Sequence, residues 1–257
     1  MASIAHLSDP HVTTGPLAAE PTARLRAALD RARALDPALV VITGDLVEHG
    51  RAEEYAALRE ILDGFAPLPH LVAGNHDDPA ALAAAFGMDA TRYVADHPAA
   101  TLVVLDSTVP GAPGGLLGDE QLAWLDAALT RRPGRPAFVA VHHPPIAVGL
   151  PVLDGMRLAD GPALAEVVAR HPQVARVLCG HVHRAITAPF AGTTLAVAPS
   201  TFRQSELPRR GGRYVAEPAG FLLHDEVEGA WITHTVTAGE PARTGLPRSA
   251  GAAKMVR

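Results

Sequence analysis

Short apolar runs that end in polar residues alternate along this chain with stretches whose apolar residues recur every three or four positions. Ile4 to Ser8 is the first such run, and Ala38 to Thr43 (Ala-Leu-Val-Val-Ile-Thr) is continuous enough to predict a strand covered on both faces. Between them, Leu25, Ala28, Leu29, Ala32 and Leu35 share one helical face and predict a helix over Arg24 to Leu35, with Pro21 near its start. The same reading predicts helices over Ala52 to Leu62, Pro79 to Phe86, Asp119 to Leu129 (Asp119 as N-cap) and Pro162 to Arg170. Strands are predicted at Pro69 to Ala73, Arg92 to Ala95, Ala100 to Leu105, Ala137 to Val141 and Val174 to Cys179. From Ile186 onward only strands follow: Ile186 to Phe190, Thr193 to Ala198, Phe221 to His224 and Ala230 to Val236.

This order implies βαβ units early and an antiparallel finish, a layered α/β sandwich rather than an eightfold barrel. Arg203 to Pro218, rich in Gly, Pro and Arg, reads as a long loop, and the glycines between Gly111 and Gly118 as an ordinary loop. Residues 1–237 read as one domain and 238–257 as a tail. Composition narrows the picture further. With 257 residues and 48% hydrophobic content the chain can bury a large core. A net charge of −5 argues against a nucleic-acid polymer as partner. One cysteine, Cys179, excludes an intrachain disulfide and a thiolate metal cluster. No apolar run approaches the ~20 residues of a membrane span, and the first residues lack a secretory pattern, so the expected location is cytoplasmic.

The 13 histidines change the reading. Five apolar runs end in groups able to ligate metal: Asp9-Pro10-His11, Gly44-Asp45, Gly74-Asn75-His76-Asp77, His142-His143-Pro144-Pro145 and Gly180-His181-Val182-His183. Ligands in open α/β sheets gather outside the carboxyl ends of strands. Each motif alone is weak, since a Gly-Asp is usually a turn and a His-x-His is often two residues on one strand face. Together they offer oxygen and imidazole donors without sulfur, a set suited to Mn²⁺, Fe²⁺ or Fe³⁺, Co²⁺ or Zn²⁺.

The ordered series D-x-H, G-D, G-N-H-D, H-H-P-P and G-H-V-H resembles the calcineurin-like metallophosphoesterases, over roughly Ile4 to Phe190. The stretch from Val141 to Arg184 resembles the branch holding class III cyclic-nucleotide phosphodiesterases and glycerophosphodiesterases, with Val148-Gly149-Leu150-Pro151 after the His-His-Pro-Pro motif. The resemblance implies a four-layer αββα sandwich and a site for two divalent cations. Carried over by position, Asp9, His11 and His183 would bind one cation, Asn75, His142 and His181 the other, and Asp45 would bridge them. His143 is the alternate to His142. His76 would orient the phosphate with Asn75 and protonate the leaving oxygen, while Asp77 either fixes the His76 tautomer or caps the next helix. The implied reaction is hydrolysis of a phosphodiester by a metal-bridging hydroxide.

Gly44 to Gly50 contains no arginine, which favours diesters over monoester dianions; Arg203, Arg209, Arg210 and Arg213 lie in a loop that could turn toward the site. A small 3′,5′-cyclic nucleotide is the leading substrate, with a glycerophosphodiesterase or broad-specificity phosphodiesterase/phosphatase as alternative and a non-catalytic scaffold as a remote one. Val148 to Met156 and Ser200 to Pro218 are the segments expected to shape substrate choice. The remaining features have plain readings. His6 belongs to the core, Cys179 is a buried thiol and Trp124 packs a helix; His70, His97 and His171 border prolines in turns, and His49 lies in a surface turn. His224 and His234 lie on late strands without a partner motif. A homo-oligomer built on the late strands is an expectation by analogy.

Overall fold

The computed structural model describes residues 2–66, 68–207 and 212–238. Its element order is β1 (Ser3–Leu7), α1 (Ala19–Arg33), β2 (Leu39–Thr43), α2 (Ala52–Leu62), β3 (His70–Val72), α3 (Pro79–Phe86), β4 (Tyr93–Asp96), β5 (Thr101–Val104), α4 (Gly118–Thr130) and β6 (Ala137–Ala140). There follow α5 (Pro151–Asp154), α6 (Gly161–Ala169), β7 (Val174–Cys179), β8 (Ile186–Phe190), β9 (Thr193–Val197), β10 (Gln204–Ser205), β11 (Tyr214–Val215), β12 (Gly220–Val227) and β13 (Ala230–Thr237). One sheet runs β13-β12-β1-β2-β3 and the other β4-β5-β6-β7-β9-β8, with β10-β11 a separate two-stranded ribbon.

The alternation of side chains along each strand sorts the apolar residues into layers. On β1 and β2, Ala5, Leu7, Val40 and Ile42 pack with Leu25, Leu29, Tyr55, Leu58 and Leu82 of the first three helices. Their neighbours Ile4, Leu39 and Val41 face the other way and meet Leu102, Val104, Phe138 and Leu178 of the second sheet. That sheet's outer face, with Val103, Val139 and Val177, is covered by Leu122, Leu125 and Leu129 of α4 and Leu164 and Val168 of α6. Three cores between four layers give the αββα sandwich that the motifs implied. Buried Cys179, core His6 and partly buried Trp124 match their expected roles.

The local departures have identifiable causes. α1 begins at Ala19, five residues before the expected start, because Pro21 falls in the first turn, where no N–H is required. α4 begins at Gly118, and its cap is not Asp119. The Asp160 carboxylate accepts from the Leu117 and Gly118 N–H groups at 3.1 and 2.8 Å. The expected loop over Arg203 to Pro218 contains β10 and β11, antiparallel through Gln204↔Val215 and Ser205↔Tyr214. His70 lies within β3 rather than in a turn, with its Nε2 2.8 Å from His97 Nε2. His224 does have partners: its Nδ1 lies 2.9 Å from Thr233 Oγ1 and its Nε2 3.4 Å from His6 Nδ1. Arg209, Arg210 and residues 239–257 lie outside the described residues.

Burial, with the Arg176 charge nearby, pushes the His224 pKa down to about 3. The unfolded ring titrates near 6.5, so between these values the unfolded chain binds the extra proton, and this contribution to stability is lost as pH falls. Burial and the Asp45 charge push Asp77 up to about 7, so its contribution runs the opposite way. Comparison with a variant isolates the histidine. The stability advantage of wild type over His224→Gln should shrink by about 1.4 kcal/mol per pH unit from pH 6.5 to 4. Urea midpoints at several pH values check this, and a constant gap would contradict it.

Candidate metal centre

The five motifs meet where β1, β2, β3, β6 and β7 end. The loops after β1 and β2 continue side by side, Asp9 N donating to Gly44 O at 3.1 Å and His11 N to Asp45 O at 3.0 Å. Gly180 N donates to His142 O at 3.0 Å, tying the last two motifs together. This crowding requires glycine at several of the motif positions. A Cβ at Gly74 would collide with the Asp45 backbone nitrogen and carboxylate, and one at Gly180 with Ser8 Oγ. Asp9, His11, Asp45, His181 and His183 all have positive φ, between 47° and 69°. Residues with a Cβ rarely adopt this region, and such conformations cluster at functional sites. It turns each chain sharply at its strand end and aims the side chain into a common cavity.

The side chains form two groups that share one carboxylate. In the first, His11 Nε2 is 3.1 Å from His183 Nε2 and 3.7 Å from Asp45 Oδ2, and His183 Nε2 is 3.5 Å from Asp9 Oδ1. In the second, His142 Nε2 is 3.3 Å from Asp45 Oδ1 and 3.2 Å from Asn75 Oδ1, which is 2.9 Å from His181 Nδ1. The two oxygens of Asp45 therefore face different groups. All seven residues except Asn75 are buried.

The outer nitrogens are tied so that each ring, in its neutral form, turns an acceptor inward. His142 Nδ1 donates to Thr43 O at 2.7 Å, His183 Nδ1 to Arg203 O at 2.9 Å, and His11 Nδ1 faces the Glu48 carboxylate at 2.9 Å. With Nδ1 carrying the proton, each Nε2 offers a lone pair to the cavity. His11 and His183 then present two lone pairs to each other, and among the described residues the buried His181 Nε2 has no partner. Such a donor set fits cations rather than a self-satisfied hydrogen-bond network. His143 differs: its Nδ1 lies 2.8 Å from Ser107 Oγ and its Nε2 3.2 Å from Pro113 O, so both nitrogens are engaged away from Asp45.

Charge follows the same division. Burial opposes ionisation of Asp45, but His142, His11 and His76 around it outweigh this and hold its carboxyl well below the usual range. Burial likewise opposes a charge on His142, yet the Asp45 carboxylate pushes its pKa up to about 9. Burial and the neighbouring ring of His11 push His183 down. The cavity thus holds carboxylate and imidazole groups whose charges depend on each other, so cations entering it would displace protons.

His76 is half-buried at the rim. Its backbone N–H donates to Asp45 Oδ1 at 2.9 Å and its Nδ1 to Glu48 O at 2.8 Å. The Glu48 carbonyl, not Asp77, therefore fixes the His76 tautomer. Nor does Asp77 cap the next helix; that is Asp78, which accepts from Ala80 and Ala81 N–H groups, both at 2.9 Å. Asp77 instead clamps two loops, accepting from Leu46 and Gly74 N–H groups at 3.1 and 2.8 Å, Val47 N–H at 3.3 Å and Tyr55 Oη at 3.1 Å. Asp77→Ala leaves buried donors without an acceptor and should cost about 3 kcal/mol of stability, read from chemical denaturation. A loss below ~1 kcal/mol would show that the clamp does not hold the loops.

Glu48 was not singled out at this site by its sequence context, whereas Arg203 belongs to the loop that was expected to be able to turn toward it. Glu48 follows Asp45 by three residues, a spacing that could have drawn notice. Arg203 arrives from far along the chain, its guanidinium 3.8 Å from Glu48 and 4.6 Å over the Tyr214 ring. The arginine lacking after Gly44-Asp45 is thus supplied by another segment, although Glu48 balances its charge.

Residues 2–185 match the calcineurin-like phosphoesterase family. The chain belongs to this family. Among calcineurin-like phosphoesterases it is 33% identical over 209 residues to the glycerophosphodiester phosphodiesterase GpdQ of Enterobacter lignolyticus, covering 77% of this chain and 75% of that one. It is 34% identical over 236 residues to a protein of Synechococcus named a probable cyclic nucleotide phosphodiesterase, with 89% of each covered. A dimetal phosphatase from Danio rerio shares the fold, with a TM-score of 0.67 at 17% identity over 93% of this chain and 99% of that one. Among the described residues no helix is long and apolar enough to cross a membrane.

Proposed function

We propose that this calcineurin-like phosphoesterase is a phosphodiesterase that works with two divalent cations. Asp9, His11 and His183 would hold one, Asn75, His142 and His181 the other, and Asp45 both. The observation that carries this reading is the pair of Asp45 oxygens, one facing His11 and the other His142. His142 is preferred to His143 because only its Nε2 is turned to Asp45. Bound there, divalent cations would lower the pKa of water toward about 7 and draw charge from phosphoryl oxygens.

The chain's own groups do the rest. Asn75 and His76 orient the phosphate at the rim. With Nδ1–H donating to the Glu48 carbonyl, the imidazolium form of His76 carries its second proton on Nε2, from which it reaches the leaving oxygen and leaves the neutral ring behind. Glu48 turns the His11 lone pair inward and balances Arg203, leaving no uncompensated arginine at the site among the described residues for a second phosphate charge. That balance favours a diester monoanion over a monoester dianion.

A 3′,5′-cyclic nucleotide is the leading substrate and a glycerophosphodiester the second, since relatives named for each cover most of this chain. Mn²⁺, Fe, Co²⁺ and Zn²⁺ all suit the donors, and the lone buried thiol suits a reducing cytoplasm. The test is turnover of cyclic AMP, glycerophosphocholine, bis-p-nitrophenyl phosphate and p-nitrophenyl phosphate by metal-loaded protein. Monoester turnover far above diester turnover would reverse the reading.

A further inference from the structure

Beside the metal centre lies a cavity of about 100 Å³. Leu150, Val152, Leu153 and Met156 form one wall and Tyr214 faces them. It is continuous with the reacting end of the site, because the Tyr214 ring lies 4.8 Å from the ring of His183 and Ser205 N donates to His183 O at 3.1 Å. Both walls are fixed in place. The Asp154 carboxylate accepts from Val148 and Gly149 N–H groups at 2.7 and 3.0 Å, holding the α5 segment against the sheet end. Across the gap the Arg203 guanidinium lies over the Tyr214 ring at 4.6 Å, which holds the ring in position.

The lining selects by chemistry. Its walls are aliphatic and aromatic carbon. Among the described residues two polar groups beside it are paired: Ser205 Oγ donates to Val182 O at 2.8 Å, and Glu206 and Arg213 face each other at 3.4 Å on the rim. A polyol entering here would exchange water for carbon around each hydroxyl, which is unfavourable without replacement hydrogen bonds. A heteroaromatic ring has apolar faces for the walls and a polar edge for the rim. The volume is well below the ~300 Å³ at which drug-sized pockets begin, so it suits one ring system rather than a whole nucleotide.

From this we infer that the cleft between α5 and the β10–β11 ribbon is a subsite for a nucleobase carried by the diester, and that it discriminates against glycerol-type arms. The inference rests on the phosphodiesterase reading for its context, and it assigns a specificity-determining role to Val152. That side chain is 56% exposed, so it can be replaced without disturbing the core. A Cβ placed on Gly212 would come within 3.3 Å of it, which shows how narrow the cleft is there.

The experiment compares wild type with Val152→Glu, which puts a carboxylate into the carbon-lined cleft. The ratio of kcat/KM for cyclic AMP to that for glycerophosphocholine should fall at least tenfold, mainly through KM for cyclic AMP. A ratio within twofold of wild type overturns the subsite and leaves the phosphodiesterase reading standing. Should the wild type turn over neither diester, that reading falls and the subsite is decided by binding. Adenosine titrated into metal-free protein and followed by NMR should then shift wild-type signals from Val152 and Met156 and bind at least tenfold more weakly to the variant. Equal binding, or no binding to wild type, overturns the inference.

Discussion

Replacing Asp45 with alanine is expected to strip the protein of both cations and to lower diester turnover by ~10³-fold or more. The size follows from how much one carboxylate does here. Its Oδ2 faces His11 at 3.7 Å and its Oδ1 faces His142 at 3.3 Å, so each cation would lose a ligand at once. Oδ1 also accepts the His76 backbone N–H at 2.9 Å, so the turn that presents Asn75 and His76 loses its anchor. The buried imidazole of His142 would lose its nearest compensating charge as well, and His11 would keep only the Glu48 carboxylate close by. Metal content by plasma emission spectrometry, read beside turnover, checks the prediction. Two ions per chain together with wild-type rates would show that Asp45 bridges nothing.

His76→Ala separates chemistry from assembly. The residue is proposed as a proton donor and not a metal ligand, so the variant should retain its ions. Turnover should fall about 10²–10⁴-fold for diesters with alkoxide leaving groups, the usual range for a positioned acid. For a p-nitrophenolate leaving group, which departs without a proton, the fall should be small. The structural basis is the hydrogen bond from Nδ1 to the Glu48 carbonyl, which leaves Nε2 free. A leaving-group series read as kcat distinguishes the outcomes: uniform slowing would make His76 a positioning residue only, and loss of metal would make it a ligand.

Much of the fold could be read because its signals are local and repeated. Alternation along β1 and β2, with Ala5 and Val40 on one face and Ile4 and Val41 on the other, already requires a sheet covered on both sides. The five strand-end motifs were visible because a metal site needs particular side chains, whatever the distance between them in the chain. What escaped notice depends on contacts across the chain. Asp160 caps a helix that begins 42 residues earlier. β10 and β11 are two residues each, too short for alternation to show, and are held by each other. His142 was preferred to His143 only by its position in the resemblance, and the physical reason, His142 turned to Asp45 and His143 engaged by Ser107 and Pro113, lies in contacts across the chain. Glu48 and Arg203 act partly through backbone carbonyls, to which any residue type could contribute.

The left-handed turns at Asp9, His11, Asp45, His181 and His183 bear on how loss-of-function variants of this molecule should be designed and judged. Alanine at these places deletes the functional group but inherits the awkward torsion, so a lower melting point would mix two effects. Glycine adopts that torsion freely. A matched Ala/Gly pair at one site therefore reports how tightly the backbone is wound there before any ion arrives, and a glycine form that melts above its alanine twin would reveal durability surrendered for reactivity.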